Sequence, residues 1–578
     1  MNQTPPPSGR TSRSLLLAVV GALLLLHFLV LLLSVRDKSA TVDEFVHVPT
    51  GCYYWKTGDF TVSGLNPPLL KLWSTLPVVP MHPKLLPVVP EPADRSPEYP
   101  WIFGDAFMNQ NWDRYDEMLQ RARLPVMVLS VVCGLVLFLW TRKAYGLGAA
   151  LAALALFVIE PNVLAHGRLA TQDSGMMLAF LLTLFFFDGL LVHGGWWRAI
   201  VVGVFLGMAC LVKYSGLVVA LGLVAALLVC VIFLRDFRFK LAVPGEKRFR
   251  PGRRRLTYQT VVVLLVVGVV ALMVVNLQYG FAGTCRLLRP DRMRSAAMKR
   301  LANSWVGYVP VPLPRDYLSG LDGQQLSVER GETINYLNGR WSRHGWWYYY
   351  LEAFLLKVPI PVLLLLVLAV VSHFLVRTQK WRAGWPVAAA CVVFWAFHSI
   401  GSNKNIGLRY MLPLFPVMLM LAGRSVLLLR RLSGRAKQAL VALLVVLAGW
   451  AVSETVRIHP HYLAYFNQIA GGPRGGARYL LDSNIDWGQD LKGLADYLKK
   501  EHVEGPVYVG YFGHVAPELY GIKAQPVSRG IMGTVAVSLN YLCGMRYRYP
   551  KDYFRWLRKR KPVAIIGHTI YVYRTIEP

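Results

Sequence analysis

The sequence predicts a polytopic α-helical membrane protein that ends in a small soluble α/β domain. Of its 578 residues, 54% are hydrophobic and 16% are charged, whereas a soluble globular chain carries about 25% charged residues. Many apolar runs are long enough to cross a bilayer. After residue 453 the pattern changes to mixed polar sequence with short strand-like and helix-like segments. We therefore predict a membrane domain over 1–453 and an outer α/β domain over 454–578.

The first apolar run, 15–34, follows Arg10 and Arg13 and has no small-residue cleavage site, so it is predicted to be a retained anchor. Further candidate spans lie at 124–141, 146–160, 175–193, 198–213, 216–234, 257–277, 351–373, 385–400, 408–429 and 438–453. Together they predict about eleven transmembrane helices, of which the short runs interrupted by Pro and Gly are the least defined.

The charge distribution predicts the orientation of these spans. The chain has 63 Lys and Arg against 32 Asp and Glu, a net charge of +31. With the N-terminus inside, Lys and Arg collect in the short inner loops, as in most membrane proteins. The richest inner segment is 235–255, which is also suited to anionic lipid headgroups. The excess charge is thus explained by topology, and no nucleic-acid partner is expected.

On this topology two long loops, 35–123 and 278–350, and the 454–578 tail lie on the outer face. The seven cysteines show no C-x-x-C pair and no zinc-site spacing. Cys52, Cys285 and Cys543 lie on the outer, oxidising side, where at most one disulfide among them can form.

The tail contains enough regular pattern for a domain with its own core. Alternating apolar residues predict strands at 506–512, 534–538, 563–567 and 569–575, and helical periodicity predicts helices at 489–500 and 550–560.

The segment 43-DEFVHVPTGCYYWKTGDFTVSGLNPPLLK-71 is the most specific pattern in the chain. Asp43 and Glu44 lie at the membrane boundary, where partial dehydration makes a carboxylate a stronger base. The alternative is a helix N-terminus at which acidic residues favour the dipole. Two residues alone favour the helix-start interpretation.

The full pattern resembles the lipid-carrier-dependent glycosyltransferases of the GT-C class. Within that class it is similar to the protein O-mannosyltransferase and lipid A aminoarabinose-transferase group, whose first outer loop carries an Asp-Glu and a Pro-Pro-Leu element. The residue before the two prolines is Asn66, where the group usually has His or Lys.

Other parts of the chain agree with this resemblance, which covers nearly its whole length. They are Arg123 at the start of the second span, 161-PNVLAHGRLATQDSGMM-177, 211-LVKYSG-216, 402-SNKNIGLRYMLPLFP-416, 461-HYLAYFNQIAGGPRGG-476 and 483-SNIDWGQDL-491. The resemblance implies a GT-C fold and an inverting transfer of a sugar from a polyprenyl-phosphate carrier. It implies that Asp43 is the base, that Glu44 orients Asp43 or binds a metal, and that Asp173 holds hydroxyls of donor or acceptor.

A lipid-linked phosphate stays at the headgroup level, so the enzyme must offer cations there. The candidates for phosphate binding are Lys71, Arg123, Lys213, Lys404 and Arg409, all at predicted outer ends of spans or in the adjoining loop. The alternative for each one singly is that it snorkels to the interface.

Weaker candidates for contacts with sugar or acceptor are Tyr53, Asp59, Asn66 and His166. His47, His166 and Asp173 match no compact metal-binding motif, so no metal site is assigned and a divalent cofactor stays open. The aromatic stretch 341–354 is interpreted as an interfacial belt, with sugar stacking as the alternative.

The sequence leaves rival functions open. A transporter or flippase of lipid-linked sugar would use the same cations, but such proteins tend to place polar groups mid-span and to carry internal repeats, which are not evident here. A binding protein whose working part is the tail would leave the first-loop pattern unexplained. The residues identify neither the sugar nor the acceptor, which is protein, lipid or polysaccharide. We expect a bacterial cytoplasmic-membrane protein with its N-terminus inside and its C-terminal domain outside.

Overall fold

A computed structural model describes residues 9–64, 66–86, 99–233, 253–376 and 384–575. The predicted lipid-binding segment 235–255 and the inner basic residues Arg377, Lys380 and Arg382 lie almost wholly outside these ranges. Within the ranges the chain is a helical bundle followed by a mixed sheet.

The helices are α1 Gly9–Val35, α2 Val42–Thr57, α3 Leu69–Thr75, α4 Tyr99–Gln110, α5 Tyr115–Tyr145, α6 Leu147–Ile159, α7 Pro161–Gly167, α8 Gln172–His193, α9 Trp196–Val212, α10 Gly216–Phe233, α11 Arg253–Gln278, α12 Ala296–Ala302, α13 Arg315–Glu329, α14 Tyr349–Lys357, α15 Ile360–Leu375, α16 Gly384–Ala396, α17 Phe415–Gly423, α18 Gly434–Ile458, α19 Gly472–Gly476, α20 Leu491–Lys500 and α21 Leu539–Leu542. The strands are β1 Asn335–Leu337, β2 Arg340–Ser342, β3 Val507–Gly510, β4 Ala524–Gln525, β5 Gly533–Ser538, β6 Ala564–Ile566 and β7 Ile570–Thr575.

The predicted apolar spans all fall on helical segments, and the fold class is confirmed. In the described part of the chain seven helices are long and apolar enough to cross a membrane, or up to nine if each of two bent pairs counts as one span. α9 and α10 are apolar but shorter. The count of eleven is thus not confirmed, because length alone does not decide whether short or bent helices cross. The chain is an integral membrane protein.

Close helix packing in the bundle depends on small residues. Gly203 and Gly207, one turn apart on α9, face α11. A Cβ at either position would lie 2.7 Å from the Cβ of Val270 or Val274 and within 2.9 Å of an α11 carbonyl. Small residues at this spacing let helix backbones approach in membranes, where packing rather than hydrophobicity drives association.

The first outer loop folds into α2, α3 and α4, and α2 packs on both of its neighbours. Gly51 allows this contact, because a Cβ there would lie well inside contact distance of the α3 backbone. The second outer loop forms α12, α13 and the β1–β2 hairpin, an antiparallel pair in which Asn335 is opposite Ser342.

The tail forms a five-stranded sheet in the order β4-β3-β5-β7-β6, with β3 parallel to β4 and β5, and β7 antiparallel to β5 and β6. The four predicted strands and the first predicted helix correspond to β3, β5, β6, β7 and α20. The helix predicted over 550–560 is wrong: turns and one short 3-10 segment, Arg555–Leu557, occupy it. β4, only two residues long, had no periodic signal to reveal it.

The tail is bound to the first outer loop through the backbone. Ser39 N–H donates to the carbonyl of Gln489 at 3.0 Å, and Val42 N–H donates to that of Trp487 at 3.1 Å. Lys38 forms a buried ion pair with Asp490. All seven cysteines are free thiols.

Candidate active site

Asp43 stands in the first turn of α2 because that helix begins with a capping box. Thr41 caps the helix, and the Glu44 carboxylate accepts from the Thr41 backbone N–H at 3.0 Å. Asp43 then points the other way, toward Arg409, whose guanidinium lies 2.7 Å from its carboxylate. The Asp43 side chain is 24% exposed, against 1% for Asp173. Asp43 is thus a paired carboxylate that solvent or substrate can reach.

Arg409 joins the two predicted acids. Besides its contact with Asp43 it lies 3.6 Å from the Asp173 carboxylate. Its guanidinium carbon is 4.2 Å from the ring centroid of Trp487, a cation–π contact with the tail. The site is therefore built from the first loop, the start of α8, the segment before α17 and the tail.

Asp173, in the first turn of α8, is held from several sides. Lys213, which follows α9, donates to it at 2.9 Å, and the Thr171 hydroxyl donates at 3.3 Å. His166 Nδ1 lies 3.8 Å from the same carboxylate. Lys213 also lies 4.3 Å from the Tyr410 ring centroid. Asp173 thereby fixes both Lys213 and Arg409, and Arg409 in turn contacts Asp43.

Three titratable groups near these pairs have pKa values shifted toward neutrality. Burial lowers the pKa of Lys71 to about 7, although the charge of Asp43 opposes this shift. Burial lowers the pKa of Lys404 to about 8; the charge of Glu332 opposes this shift, and the charges of Lys213 and Arg409 add to it. Burial raises the pKa of Asp482 to about 6 against the field of Arg409. Lys71, Lys404 and Asp482 therefore interact electrostatically with the group formed by Asp43, Arg409, Asp173 and Lys213.

Some buried polar atoms of this cluster have no hydrogen-bond partner. Within the described ranges they include His47 Nδ1, one turn after Asp43 on α2, together with His166 Nδ1 and Arg409 Nε. A buried polar atom without a partner costs about 1–3 kcal/mol. A polar ligand or ordered water in the site would supply the missing partners.

Glu44 and Arg123 form a separate, fully buried pair behind Asp43. Arg123 donates to both Glu44 oxygens at 2.8 Å, and its remaining N–H groups donate to the carbonyls of Val35, Lys38 and Ser39. The Glu44 carboxylate also accepts from the Ala170 backbone N–H at 2.8 Å. Neither side chain has a donor or acceptor left for substrate. We therefore assign to this pair the positioning of the first loop. For Glu44 this agrees with the expectation that it orients Asp43, whereas for Arg123 it replaces the expected phosphate-binding role.

Lys71 is near the cluster, yet its ammonium donates to the carbonyls of Ser63 and Asn66, each at 2.9 Å. Asn66 therefore takes part through its backbone. Lys404 donates to Gln324 at 2.8 Å. Among the predicted phosphate ligands, Lys213 and Arg409 have the most direct place beside the carboxylates.

Tyr53 and Asp59 lie away from the cluster. Tyr53 is ten residues after Asp43 on α2, about 15 Å along the helix, and its hydroxyl donates to Asp59 at 3.1 Å. Their contact orders the segment after α2.

Sequence reasoning missed Tyr410, Trp487 and the role of Asp482. Trp487 lies in the 483–491 motif and Asp482 directly precedes it, so that motif was the only sequence signal that could have indicated them. No residue spacing shows, however, that the tail folds back onto Arg409. Among the residues that the structure describes, no three His, Cys, Asp or Glu side chains are grouped closely enough to hold a metal ion.

Residues 116–243 match the family described as dolichyl-phosphate-mannose-protein mannosyltransferase. This confirms, over α5 to α10, the resemblance identified from the sequence, and supports a lipid-carrier-dependent glycosyltransferase. No curated protein matches the chain in sequence.

Two solved structures are similar over most of the chain. One is ArnT from Cupriavidus metallidurans bound to undecaprenyl phosphate, at 13% identity and a TM-score of 0.46, covering 96% of this chain and 98% of that one. The other is the archaeal oligosaccharyltransferase AglB from Archaeoglobus fulgidus in complex with an inhibitory peptide and a dolichol-phosphate. It is 12% identical with a TM-score of 0.48, and the match covers 92% of this chain and 71% of that one.

Proposed function

We propose that the chain is an inverting glycosyltransferase that moves a sugar from a polyprenyl-phosphate carrier to an acceptor hydroxyl on the outer face of a bacterial cytoplasmic membrane. The observation that carries the proposal is the Asp43–Arg409–Asp173 arrangement. It combines one accessible carboxylate with a cluster of cations at the ends of the helices.

In the proposed reaction, the acceptor oxygen forms a bond with the anomeric carbon while the bond between that carbon and the phosphate oxygen breaks. The bonding pair leaves on the phosphate, and the acceptor proton passes to Asp43. Attack opposite the leaving phosphate inverts the anomeric centre.

The charges of the site suit this change. A sugar-linked phosphodiester carries one negative charge, and the leaving phosphate monoester gains a second. Lys213 and Arg409 balance the charges of Asp43 and Asp173, and protonation of Asp43 leaves one excess positive charge as the leaving group gains its second negative charge. A bound phosphate also favours the protonated forms of Lys71 and Lys404, whose pKa values lie near neutrality. Lys213 and Arg409 would hold the phosphate, because cations placed where charge develops stabilise the transition state.

Asp43→Asn tests this proposal. The donor is first identified as the lipid-linked sugar that accumulates, by mass, in cells lacking the protein, and is then supplied to purified enzyme with an envelope extract as acceptor. Removing a general base lowers turnover by roughly 10²- to 10⁴-fold, so we expect a loss of that size in release of sugar from its carrier. Asp113→Asn, an exposed carboxylate of the same loop, should leave turnover unchanged. Equal activity of Asp43→Asn and wild type would remove Asp43 as the base.

A further inference from the structure

A cleft of about 240 Å³ lies between the second outer loop and the tail. The lining residues are Ile334, Trp341, Ser342 and Arg343 from the hairpin side and Gly544, Arg546 and Lys551 from the tail. Gly544 has φ +90°, where an L side chain is strained, so it allows the chain to turn after α21 and form this wall. Segments some 200 residues apart in the sequence thus meet in a small concave surface.

The cleft carries three cations and no acid. Arg343, Arg546 and Lys551 are all exposed, and none is in an ion pair with another described residue. Asp552, the neighbour of Lys551 in sequence, is held by Arg558 at 2.6 Å. The positive charge is therefore available to an anionic ligand, and guanidinium groups suit phosphate and carboxylate because they donate in pairs.

Trp341 adds a flat apolar surface to this charge. It is partly buried, its ring centroid lies 4.8 Å from that of Tyr336, and it is one of the residues that line the cleft. An indole surface packs well against the C–H face of a sugar ring. An aromatic surface beside cations therefore favours a saccharide that carries anionic groups over a simple anion.

The hairpin joins this cleft to the transfer site. Ser342 lines the cleft and is opposite Asn335 in the strand pair. The Asn335 side chain donates to the carbonyl of Asn403 at 2.8 Å and accepts from the backbone N–H of Asn405 at 2.7 Å. These two residues flank Lys404. Paired residues are about 4.5–5.5 Å apart. Only one strand pair therefore separates the cleft from the 403–405 segment, which contains Lys404 of the candidate active site.

We propose that this cleft binds an anionic saccharide unit of the acceptor, bearing phosphate or carboxylate, and so selects acceptors for the transfer. The proposal rests on the proposed function for its role in catalysis, but binding is independent of transfer. The cleft is smaller than the roughly 300–1,000 Å³ of sites that enclose a whole drug-sized ligand. It therefore fits one end unit of a longer acceptor.

The test is titration calorimetry on the purified full-length protein with a galacturonate oligosaccharide, and with a neutral galactose oligosaccharide of equal length. We expect the galacturonate alone to bind, and more weakly as salt rises. Arg546→Ala with Lys551→Ala, and separately Trp341→Leu, should each weaken binding by about tenfold or more. Lys559→Ala with Lys561→Ala removes two exposed cations of the same domain outside the cleft and should change nothing.

Equal binding of both oligosaccharides, or equal weakening by the control pair, would overturn the proposal. If a polyglutamate peptide binds more tightly than galacturonate, the ligand of the cleft is an acidic peptide, and the saccharide proposal is overturned. Asp43→Asn separates the two proposals, because it should abolish transfer and leave galacturonate binding intact. If Asp43→Asn loses turnover but the cleft variants bind galacturonate as wild type does, this inference alone is refuted. If the cleft variants lose binding but Asp43→Asn keeps wild-type turnover, only the assignment of Asp43 as the base is refuted.

Discussion

Arg409 is the residue on which the candidate site depends most directly. Its guanidinium contacts the carboxylates of Asp43 and Asp173 and lies over the ring of Trp487. A planar guanidinium can make these contacts at once, whereas an ammonium is a compact charge with no flat face. The residue type therefore matters here beyond its charge.

Arg409→Lys keeps the charge and should still lower turnover by about 10²-fold or more, because one preorganised donor in such a site contributes on that order. Steady-state release of sugar from the lipid carrier measures the effect, with the thermal unfolding midpoint recorded to confirm that the variant folds. Arg478→Lys, an exposed cation of the tail, is the matched control. Full activity of Arg409→Lys would show that charge alone is needed at this position.

At the residue scale the sequence predicted Asp43, Asp173, Lys213 and Arg409 from the motif, and the structure brings these four together. The sequence distinguished Asp43 from Glu44 only through the family resemblance, which implied a base at Asp43 and an orienting or metal-binding group at Glu44. Spacing alone could not do so, because the side chains of adjacent residues point about 100° apart around a helix whose orientation the sequence does not give. The partner of each carboxylate, Arg409 for one and Arg123 for the other, is set by tertiary contacts.

At the scale of elements, α2 is held in place by the buried Glu44–Arg123 pair. Both side chains are completely buried, and Arg123 also binds the carbonyls of the α1–α2 connection. This arrangement fixes the start of α2 and hence the position of Asp43. The helix-start interpretation therefore applies to Glu44, and the proposed catalytic role belongs to its neighbour Asp43.

Glu44→Gln tests whether Glu44 has this structural role and not a catalytic one. Breaking one partner of a buried ion pair typically costs about 3–5 kcal/mol, so the midpoint of thermal unfolding should fall markedly. Turnover per folded molecule should fall much less than in Asp43→Asn, because Glu44 acts only by positioning Asp43. Glu117→Gln breaks an exposed pair with Arg121 at 2.7 Å and should change the stability little. A Glu44→Gln protein of normal stability without activity would instead make Glu44 catalytic.

Elements with strong periodicity were predicted well, and those fixed by long-range contacts were not. The strands of the tail and α20 follow from their patterns, whereas the 550–560 segment has helical periodicity yet forms turns. There Phe554 and Leu557 are buried against the sheet domain, so tertiary packing overrides the local preference.

At the scale of the whole molecule, the 482–490 segment of the tail contacts the candidate active site. Trp487 reaches Arg409, Asp490 pairs with Lys38, and Asp486 lies buried between them and α21. Burial raises the pKa of Asp486 to about 7; the backbone N–H groups of Gly488 and Asn540 oppose that shift, and the charge of Asp490 adds to it. This connection should therefore depend on pH.

The sign follows from proton linkage. The folded chain keeps a proton on Asp486 that the unfolded chain, with a pKa of about 3.9, releases. The stability that this proton contributes is complete below about pH 4 and is lost as pH rises through about 7. Asp486→Asn, which has no proton to lose, should flatten the decline in unfolding midpoint between pH 4.5 and 8 and be more stable than wild type at pH 8. Asp496→Asn, exposed on α20, should follow wild type, and parallel profiles for Asp486→Asn and wild type would contradict the assignment.

The sequence by itself determined the membrane class, the helical segments, the strands of the tail and the residues of the first-loop motif. These depend on composition, periodicity and short spacings, which are local properties of the chain. Only the tertiary structure decided which acid is accessible, which cations face it and that the tail completes the site. Those features join residues as far apart as Asp43 and Arg409 or Lys38 and Asp490, and contacts at such separations depend on how the helices pack.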